Sequence, residues 1–135
     1  MSSEKIKGNA IMEGVAEGEV LYTEESISFF GGVDMKTGQI IQKGHELKGQ
    51  SIKDKILIFP KGSGSTVGSY VIYGLKKYNT APKAMILENA ETIICTGAIL
   101  AKIPCMDSID IKALKNAEKV KVVITTNEAY VEILR

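Results

Sequence analysis

An uninterrupted run of apolar residues, Ile56–Phe59, lies between Lys55 and Pro60. A strand with one face in water alternates apolar and polar residues, whereas a strand that is buried on both faces is apolar throughout. Pro60 stops the run, because proline has no backbone N–H to donate. A second run of this kind ends at Leu87. The sequence therefore predicts two strands, over 55–59 and 83–87, that lie inside a layered fold.

A helix is predicted between these two strands, over 66–78. Four apolar residues recur there at intervals of three or four positions: Val67, Val71, Leu75 and Tyr78. That spacing places them on one face of a helix, whereas a strand would alternate. Asn79 is suited to end the helix, and Pro82 lies beyond it.

Strands dominate the rest of the chain. The first half predicts strands over 6–12, 18–23, 27–29 and, briefly, 39–41, with a polar loop over 44–49. The second half predicts a strand or a short helix around 93–100, a helical turn capped by Asp107 or Ser108 that runs through Leu114, and strands over 119–125 and 130–134. We expect an α/β fold with a β-rich first half, formed by a single domain over 1–135 as a β/α barrel or a layered sheet. The order does not alternate strand and helix simply, so a plain doubly wound fold is not expected.

The composition is that of an ordinary globular protein, since 44% of the 135 residues are hydrophobic and 24% are charged. The formal net charge of +1 gives no general reason to expect a nucleic acid as a partner. The longest apolar stretches have about five to seven residues, far fewer than the roughly 20 that cross a bilayer. The N-terminus has no apolar signal core. We therefore expect a cytoplasmic protein that binds neither nucleic acid nor a membrane.

Side chains that bind metals or act as nucleophiles are scarce. Cys95 and Cys105 form no CxxC pair and have apolar neighbours, so we expect both to be small residues of the core. His45 lies in a polar turn and is expected at the surface. Two cysteines and one histidine are too few for a closed zinc site or for an iron–sulfur cluster within this chain. A Ser–His–Asp or Cys–His enzyme built on this histidine has weak support.

The loop over 61–69, between the buried strand and the helix, is the segment that points to chemistry. Gly62 and Gly64 permit backbone conformations that side chains would block. N–H groups at a helix start suit an anionic ligand, and three hydroxyl groups lie at the same rim: Ser63, Ser65 and Thr66. A structural interpretation stays open, because Ser and Thr are also common helix caps. The loop is neither a Walker A loop nor a dinucleotide fingerprint, since it lacks GxxxxGK and has Val67 where that fingerprint has glycine.

Two motifs together resemble one known family. Residues 28–34 read SFFGGVD, and residues 62–69 read GSGSTVGS. Their combination resembles the small, swivel-domain subunit of the aconitase X family. Further matching segments are 14–21, 37–38, 40–41, 49–51, 79–84, 96–99 and 103–104, so that the resemblance covers roughly residues 5–125.

The resemblance implies a swivelling β/β/α fold that closes over a larger subunit and forms a heterodimer with it. The large subunit would hold a 4Fe–4S cluster and much of the substrate pocket, and this chain would bind no cofactor and no metal. The implied substrate is a small phosphorylated hydroxy acid. The implied reaction is the dehydration of (R)-5-phosphomevalonate to trans-anhydromevalonate 5-phosphate, a step of the archaeal mevalonate route to isoprenoids.

The swivel loop of aconitase-type enzymes reads roughly GxGSSRE, and its first serine is the catalytic base. That serine corresponds to Ser65 here, so the resemblance makes Ser65 the proton acceptor. The same loop would bind the substrate through Gly62, Ser63, Gly64, Thr66 and Gly68. Two positions depart from the pattern, because Thr66 replaces the second serine and Val67 replaces an arginine that grips a substrate carboxylate. Carboxylate binding would then fall to the partner subunit or to a local residue such as Lys61.

Two other functions stay open at this point. One is a non-catalytic anion-binding or assembly module of another aconitase X-type hydroxy-acid dehydratase. The other is a self-sufficient hydrolase that uses Ser65 or Ser63, although no base partner is evident for either. In the SFFGGVD motif, Asp34 is either part of a second rim loop or the cap of a tight turn. Phe29 and Phe30 face either the core or a partner chain.

Overall fold

The computed structural model describes residues 4–134. Its strands are β1 (Lys5–Lys7), β2 (Asn9–Met12), β3 (Gly14–Tyr22), β4 (Ile27–Ser28), β5 (Ile56–Phe59), β6 (Gly62–Ser63), β7 (Ala84–Leu87), β8 (Cys105–Asp107), β9 (Lys119–Ile124) and β10 (Ala129–Ile133). Its helices are the short, irregular α1 (Phe29–Gly32), α2 (Gly68–Lys77) and α3 (Thr92–Ala101), and a 3-10 turn covers Ile111–Leu114.

Eight strands form one sheet in the spatial order β1-β10-β9-β3-β5-β7-β8-β2. Strands β3, β5, β7 and β8 run parallel to one another, with Leu57 opposite Met85. The outer neighbours of this group are antiparallel, since β3 also pairs with β9 and β8 with β2. Helix α2 connects β5 to β7, and α3 connects β7 to β8, so that each returns the chain to the starting end of the sheet. Every residue of β5 and β7 is buried, which confirms the two strands predicted to lie inside the fold.

The sheet separates two hydrophobic cores. Leu57 and Phe59 of β5 belong to a core that α2 and α3 cover. Ile56 and Ile58 point to the opposite side, where the 3-10 turn and the inward faces of β9 and β10 complete a second core. The central strands are therefore apolar throughout because each of their faces packs against a different layer.

The sheet curls until its two edges meet at Gly8. Strands β1 and β2 occupy opposite ends of the strand order, yet only Gly8 separates them. Two consecutive residues span no more than roughly 7 Å, so these edges must approach each other. A Cβ on Gly8 would collide with the backbone carbonyl of Asp107 on β8. The single strand predicted over 6–12 is therefore wrong, and its division into two strands gives the α/β fold its barrel-like closure.

The helical segments differ in detail from the sequence predictions. Helix α2 lies within the predicted range, and α3 resolves the mixed segment as a helix. The predicted cap at Asp107 or Ser108 is wrong, because β8 extends through Asp107. The Asp110 carboxylate instead accepts a hydrogen bond from the Lys112 N–H at 3.1 Å and begins the 3-10 turn. No helix within residues 4–134 is long and apolar enough to span a membrane.

The brief strand predicted over 39–41 is reduced to two isolated bridges. Ile40 pairs with Val33, and Gln39 pairs with Ser51. The carbonyl of Ile40 also accepts the N–H of Gly49 at 2.8 Å. The segment between α1 and β5 is therefore an ordered loop, closed by backbone hydrogen bonds rather than by a ladder.

Candidate active site

The glycine- and serine-rich loop leaves β5 where the carboxyl ends of the parallel strands lie. The carbonyl of Pro60 accepts hydrogen bonds from the N–H groups of Glu88 and Asn89, both at 3.1 Å. Strand β6, within the loop, then pairs in parallel with β4. The loop is thus fixed on two sides before it reaches Gly64.

Gly64 is required by its conformation and by its neighbour. Its φ of +87° lies in the left-handed region, where a Cβ is strained. A Cβ at this position would also collide with Oγ of Ser28. Ser28 is itself held in place, because its N–H donates to Oε1 of Gln42 at 2.9 Å. The chain therefore crosses β4 closely at Gly64 and leads directly to Ser65.

Ser65 is exposed and lies just before helix α2. Its Oγ accepts a hydrogen bond from the Val67 N–H at 3.2 Å, and its carbonyl accepts one from the Gly68 N–H at 2.9 Å. Within the part of the chain that the structure describes, the N–H groups of Gly64, Ser65 and Thr66 have no hydrogen-bond acceptor. The loop thus combines one hydroxyl group with three consecutive backbone donors, an arrangement that suits an anion.

The other predicted binding residues are placed differently. Ser63 is half-buried, while Gly62 and Gly68 are buried. The N–H of Gly62 donates to Oε1 of Glu91 at 3.1 Å. A Cβ on Gly62 would lie 2.8 Å from Cδ1 of Ile94, so this glycine permits close packing against α3. Direct contact of Gly62 and Gly68 with a substrate stays a prediction, because both N–H groups already have partners here.

Helix α2 places its N-terminus directly behind this loop. Its first turn contains no acidic residue, and Lys76 and Lys77 lie in its last turn. The N-terminal end of a helix carries a partial positive charge, which a carboxylate in the first turn would offset. The field of α2 therefore favours negative charge at Ser65.

The SFFGGVD motif lies beside the loop, and its two phenylalanines differ in burial. Phe29 is 1% exposed, and its ring centroid is 6.0 Å from that of Phe59. Phe30 is 52% exposed, because α1 is interrupted at Phe30 and Gly31. The backbone nitrogen of Phe30 lies 3.5 Å from the position that a Cβ on Gly68 would take. Phe29 thus belongs to the core, and Phe30 lies at the rim of the candidate site.

Two charged candidates near the site have different surroundings. Asp34 caps a tight turn, since its carboxylate oxygens accept from the Lys36 N–H and from the Thr37 hydroxyl, both at 3.1 Å. Lys61 is exposed, and no hydrogen bond or ion pair of its side chain occurs within residues 4–134. These contacts support the turn interpretation of Asp34 and leave Lys61 available to a ligand.

The two segments that form the site contain no charged side chain. Residues 26–33 and 62–75 include no Asp, Glu, Lys or Arg, although 24% of the chain is charged. Three large apolar side chains are exposed there, with exposed fractions of 52% for Phe30, 42% for Val67 and 68% for Tyr70. We name these three residues the apolar rim. Charge depletion combined with exposed aromatic residues is typical of the centre of a protein–protein interface.

His45 is buried, so the prediction of a surface histidine is wrong. Only 1% of its side chain is exposed. Its Nδ1 accepts the N–H of Leu47 at 3.0 Å and lies 3.7 Å from Oε1 of Glu25. Leu47 belongs to the hydrophobic core although it lies in the same polar turn. His45 is buried beside it, because its imidazole accepts the hydrogen bond of the Leu47 N–H.

The two cysteines are poor ligands in this environment. Cys105 is fully buried, and Cys95 is partly buried and donates to the carbonyl of Ala90 at 3.2 Å. Burial raises the pKa of both thiols, which keeps them protonated near neutral pH. Residues 4–134 contain no group of three or more His, Cys, Asp or Glu side chains that could hold a metal ion. The described residues therefore do not fit an iron–sulfur cluster.

Two residues that the sequence analysis missed contact the loops. Glu91 binds the backbone of Gly62, and Gln42 binds that of Ser28. These contacts join residues that are 29 and 14 positions apart. A glutamate just before a helix is usually taken for a cap, so no local pattern indicates its actual partner.

Known proteins resemble this chain along nearly all of its length. The family model of the aconitase X swivel domain matches residues 5–133. The phosphomevalonate dehydratase small subunit of Thermococcus kodakarensis is 53% identical over 130 residues, which cover 96% of each chain. The protein of the same name from Methanococcoides burtonii is 50% identical over 133 residues, again with 96% of each chain covered.

Two solved structures have the same fold. The crystal structure of Thermococcus kodakaraensis aconitase X in its holo form matches with a TM-score of 0.90 and 50% identity, over 98% of this chain and 99% of that one. The solution NMR structure of a UPF0107 protein matches with a TM-score of 0.83 and 45% identity, over 98% of this chain and 100% of that one. Sequence and structure agree that the chain belongs to the aconitase X swivel-domain family.

Proposed function

We propose that this chain is the small subunit of a phosphomevalonate dehydratase. Together with a large subunit, it would convert (R)-5-phosphomevalonate to trans-anhydromevalonate 5-phosphate and water, in the archaeal mevalonate route to isoprenoids. The observation that carries the proposal is the loop at Ser65, where an exposed hydroxyl adjoins three consecutive N–H groups that have no acceptor within residues 4–134. Two relatives that are 53% and 50% identical are named phosphomevalonate dehydratase small subunits, which supports the choice of substrate.

The proposed role of Ser65 is to accept the proton that leaves the substrate. Elimination of water next to a carboxylate removes a weakly acidic proton from one carbon and a hydroxyl group from its neighbour. A serine hydroxyl accepts such a proton only if its alkoxide form is stabilised, and fixed backbone donors do this well where water is excluded. The Val67 N–H already points at Oγ of Ser65, and the N-terminus of α2 adds its field.

The same loop is proposed to hold the anionic substrate. The free N–H groups of Gly64 and Thr66 are the best placed donors, and Ser63 and Thr66 add hydroxyl groups. Gly62 and Gly68 contribute by letting the loop pack closely against α3 and the SFFGGVD motif. Because Val67 offers no charge, we assign the substrate carboxylate to the partner subunit or to Lys61.

We assign the 4Fe–4S cluster of the proposed enzyme to the large subunit. The donor set of the described residues does not fit such a cluster, since its two thiols are protonated and its one histidine is buried. No step attributed to this chain passes through the cluster. This chain is proposed to contribute proton transfer, anion binding and closure of the active site.

This division of the reaction predicts the activity of each part. The isolated chain should fold but should not convert phosphomevalonate, because it lacks the rest of the site. Adding the large subunit from the same organism, prepared without oxygen, should give dehydration that depends on both chains. Turnover by the isolated chain would contradict the proposal. A reconstituted pair that dehydrates a hydroxyproline-type substrate instead of phosphomevalonate would correct the substrate but not the reaction class.

The large subunit is proposed to bind against the apolar rim, because only a partner at this face can reach Ser65. Replacing Tyr70 with glutamate places a charge at the centre of this face. We expect the dissociation constant of the pair to rise at least about tenfold, which corresponds to roughly 1.4 kcal/mol. Calorimetric titration or sedimentation measures this change.

The matched control is Val15→Glu. Val15 is 63% exposed, close to the 68% of Tyr70, but it lies near the amino end of β3, away from the loop. This variant should bind the large subunit as the native chain does. Equal weakening by both variants would show that the charge disturbs the fold rather than this interface.

A further inference from the structure

Glu91 holds the loop of Ser65 from outside the loop. It is the residue just before α3, with an extended backbone at φ −78° and ψ −179°, and its side chain does not cap its own helix. Its Oε1 instead accepts the N–H of Gly62 at 3.1 Å, in a partly buried position. A carboxylate in this place would ordinarily stabilise the helix start. Its use on a distant loop indicates a different role.

The contact lies where it controls the path of the loop. Gly62 is three residues before Ser65, and the exposed segment from Gly64 onward begins directly after β6. A Cβ on Gly62 would lie 3.0 Å from Oε1 of Glu91 and 2.8 Å from the side chain of Ile94. Gly62 is therefore packed against the start of α3. The hydrogen bond to Glu91 fixes the position of the Gly62 backbone, from which the exposed part of the loop begins.

The backbone of Glu91 is supported in turn by the sheet. The N–H of Ala90 donates to Oδ2 of Asp107, the last residue of β8, at 3.0 Å. The carbonyl of Glu91 accepts the N–H of Cys95 at 3.0 Å within α3. A continuous set of contacts thus runs from β8 through Asp107, Ala90 and Glu91 to Gly62. The Glu91 carboxylate therefore links the Gly62 backbone to β8 and to the start of α3.

We propose that Glu91 is a positioning residue for Ser65, acting as the hydrogen-bond acceptor that fixes the Gly62 backbone. This inference rests on the proposed function, because it gives Glu91 its effect through Ser65. Proton transfer depends steeply on the distance between donor and acceptor, so a small displacement of the loop lowers the rate strongly.

Variants of Glu91 in the reconstituted two-subunit enzyme test the proposal. Glu91→Ala removes the acceptor and should lower kcat at least about tenfold at a temperature well below its melting point. Glu91→Gln is the matched control, because it keeps an oxygen acceptor in the same place, and it should retain kcat within about threefold. Glu91→Asp, one methylene shorter, should give an intermediate kcat and serves if the alanine variant does not fold.

A second measurement reports on the contact without any turnover. The related UPF0107 protein was solved in solution by NMR, so amide spectra of the isolated chain are a suitable probe. In Glu91→Ala the amide proton of Gly62 should shift upfield and exchange with solvent at least about tenfold faster. In Glu91→Gln it should stay protected.

The two readouts separate this inference from the proposed function. If Ser65→Ala keeps full activity while the Gly62 amide still responds to Glu91→Ala, the proposed role of Ser65 fails and the contact of Glu91 stands. If Glu91→Ala frees the Gly62 amide but keeps the native kcat, Glu91 does not position Ser65. If alanine and glutamine variants lose activity equally while Gly62 stays protected, Glu91 acts in some other way and the proposal is overturned.

Discussion

Ser65→Ala is expected to lower kcat of the reconstituted enzyme by at least about a hundredfold, the lower range for losing a positioned proton-transfer group. The variant keeps the backbone of the loop, and it loses Oγ together with the 3.2 Å bond from the Val67 N–H. Loss of that one bond should cost only about 0.5–1.5 kcal/mol of folding free energy. A steady-state assay of the pair, combined with thermal unfolding, separates the two effects.

Ser63→Ala is the internal control, because Ser63 lies two positions earlier in the same loop. It should lower kcat by much less than Ser65→Ala, since its half-buried hydroxyl is assigned to anion binding and not to proton transfer. If Ser63→Ala abolishes turnover and Ser65→Ala does not, the correspondence to the aconitase loop is displaced by two residues. If both variants remain active, the loop is an anion cradle only, and the assembly-module alternative gains support.

Phe29→Ala should cost about 3–5 kcal/mol of unfolding free energy, the usual range for truncating a buried phenylalanine. Phe29 is 1% exposed and packs against Phe59, which ends the central strand β5. A cavity at this point would lie directly beneath the two motifs. Urea or thermal unfolding of the isolated chain measures the loss.

Phe30→Ala is the natural comparison, because the two aromatic residues are adjacent in sequence and opposite in burial. Phe30 is 52% exposed, so its replacement should change the unfolding free energy by no more than about 0.5 kcal/mol. It should instead weaken binding to the large subunit. Equal losses of stability in the two variants would contradict the assignment of Phe29 to the core and Phe30 to the rim.

The elements that could be predicted are those whose pattern is local. Strand β5 is a short apolar run bounded by Lys55 and Pro60, and helix α2 has an apolar face. Each of these patterns indicates its own secondary structure without reference to the rest of the chain. Helix α3 does not, because Ile99 and Leu100 remain half-exposed on its outer side. With apolar residues on every side, its sequence fits a buried strand as well as a helix.

The features that could not be predicted depend on partners far along the chain. The division at Gly8 follows from the carbonyl of Asp107, and the contact of Glu91 follows from the position of Gly62. His45 is buried through its bond to Leu47, although its neighbours in sequence are polar. In the candidate site, the glycines and Ser65 were visible as a motif, whereas the residues that hold them were not.

The closure of the sheet at Gly8 has a consequence for aggregation. Exposed strand edges present unpaired N–H and C=O groups to which other chains can add. Here both outermost strands, β1 and β2, come from the single stretch 5–12, and they pair with β10 and β8, respectively. That stretch therefore shields β10 and β8 at the same time. Loss of this stretch would leave the edges of both β10 and β8 unpaired. We therefore expect strands β1 and β2 to limit aggregation as well as to complete the sheet.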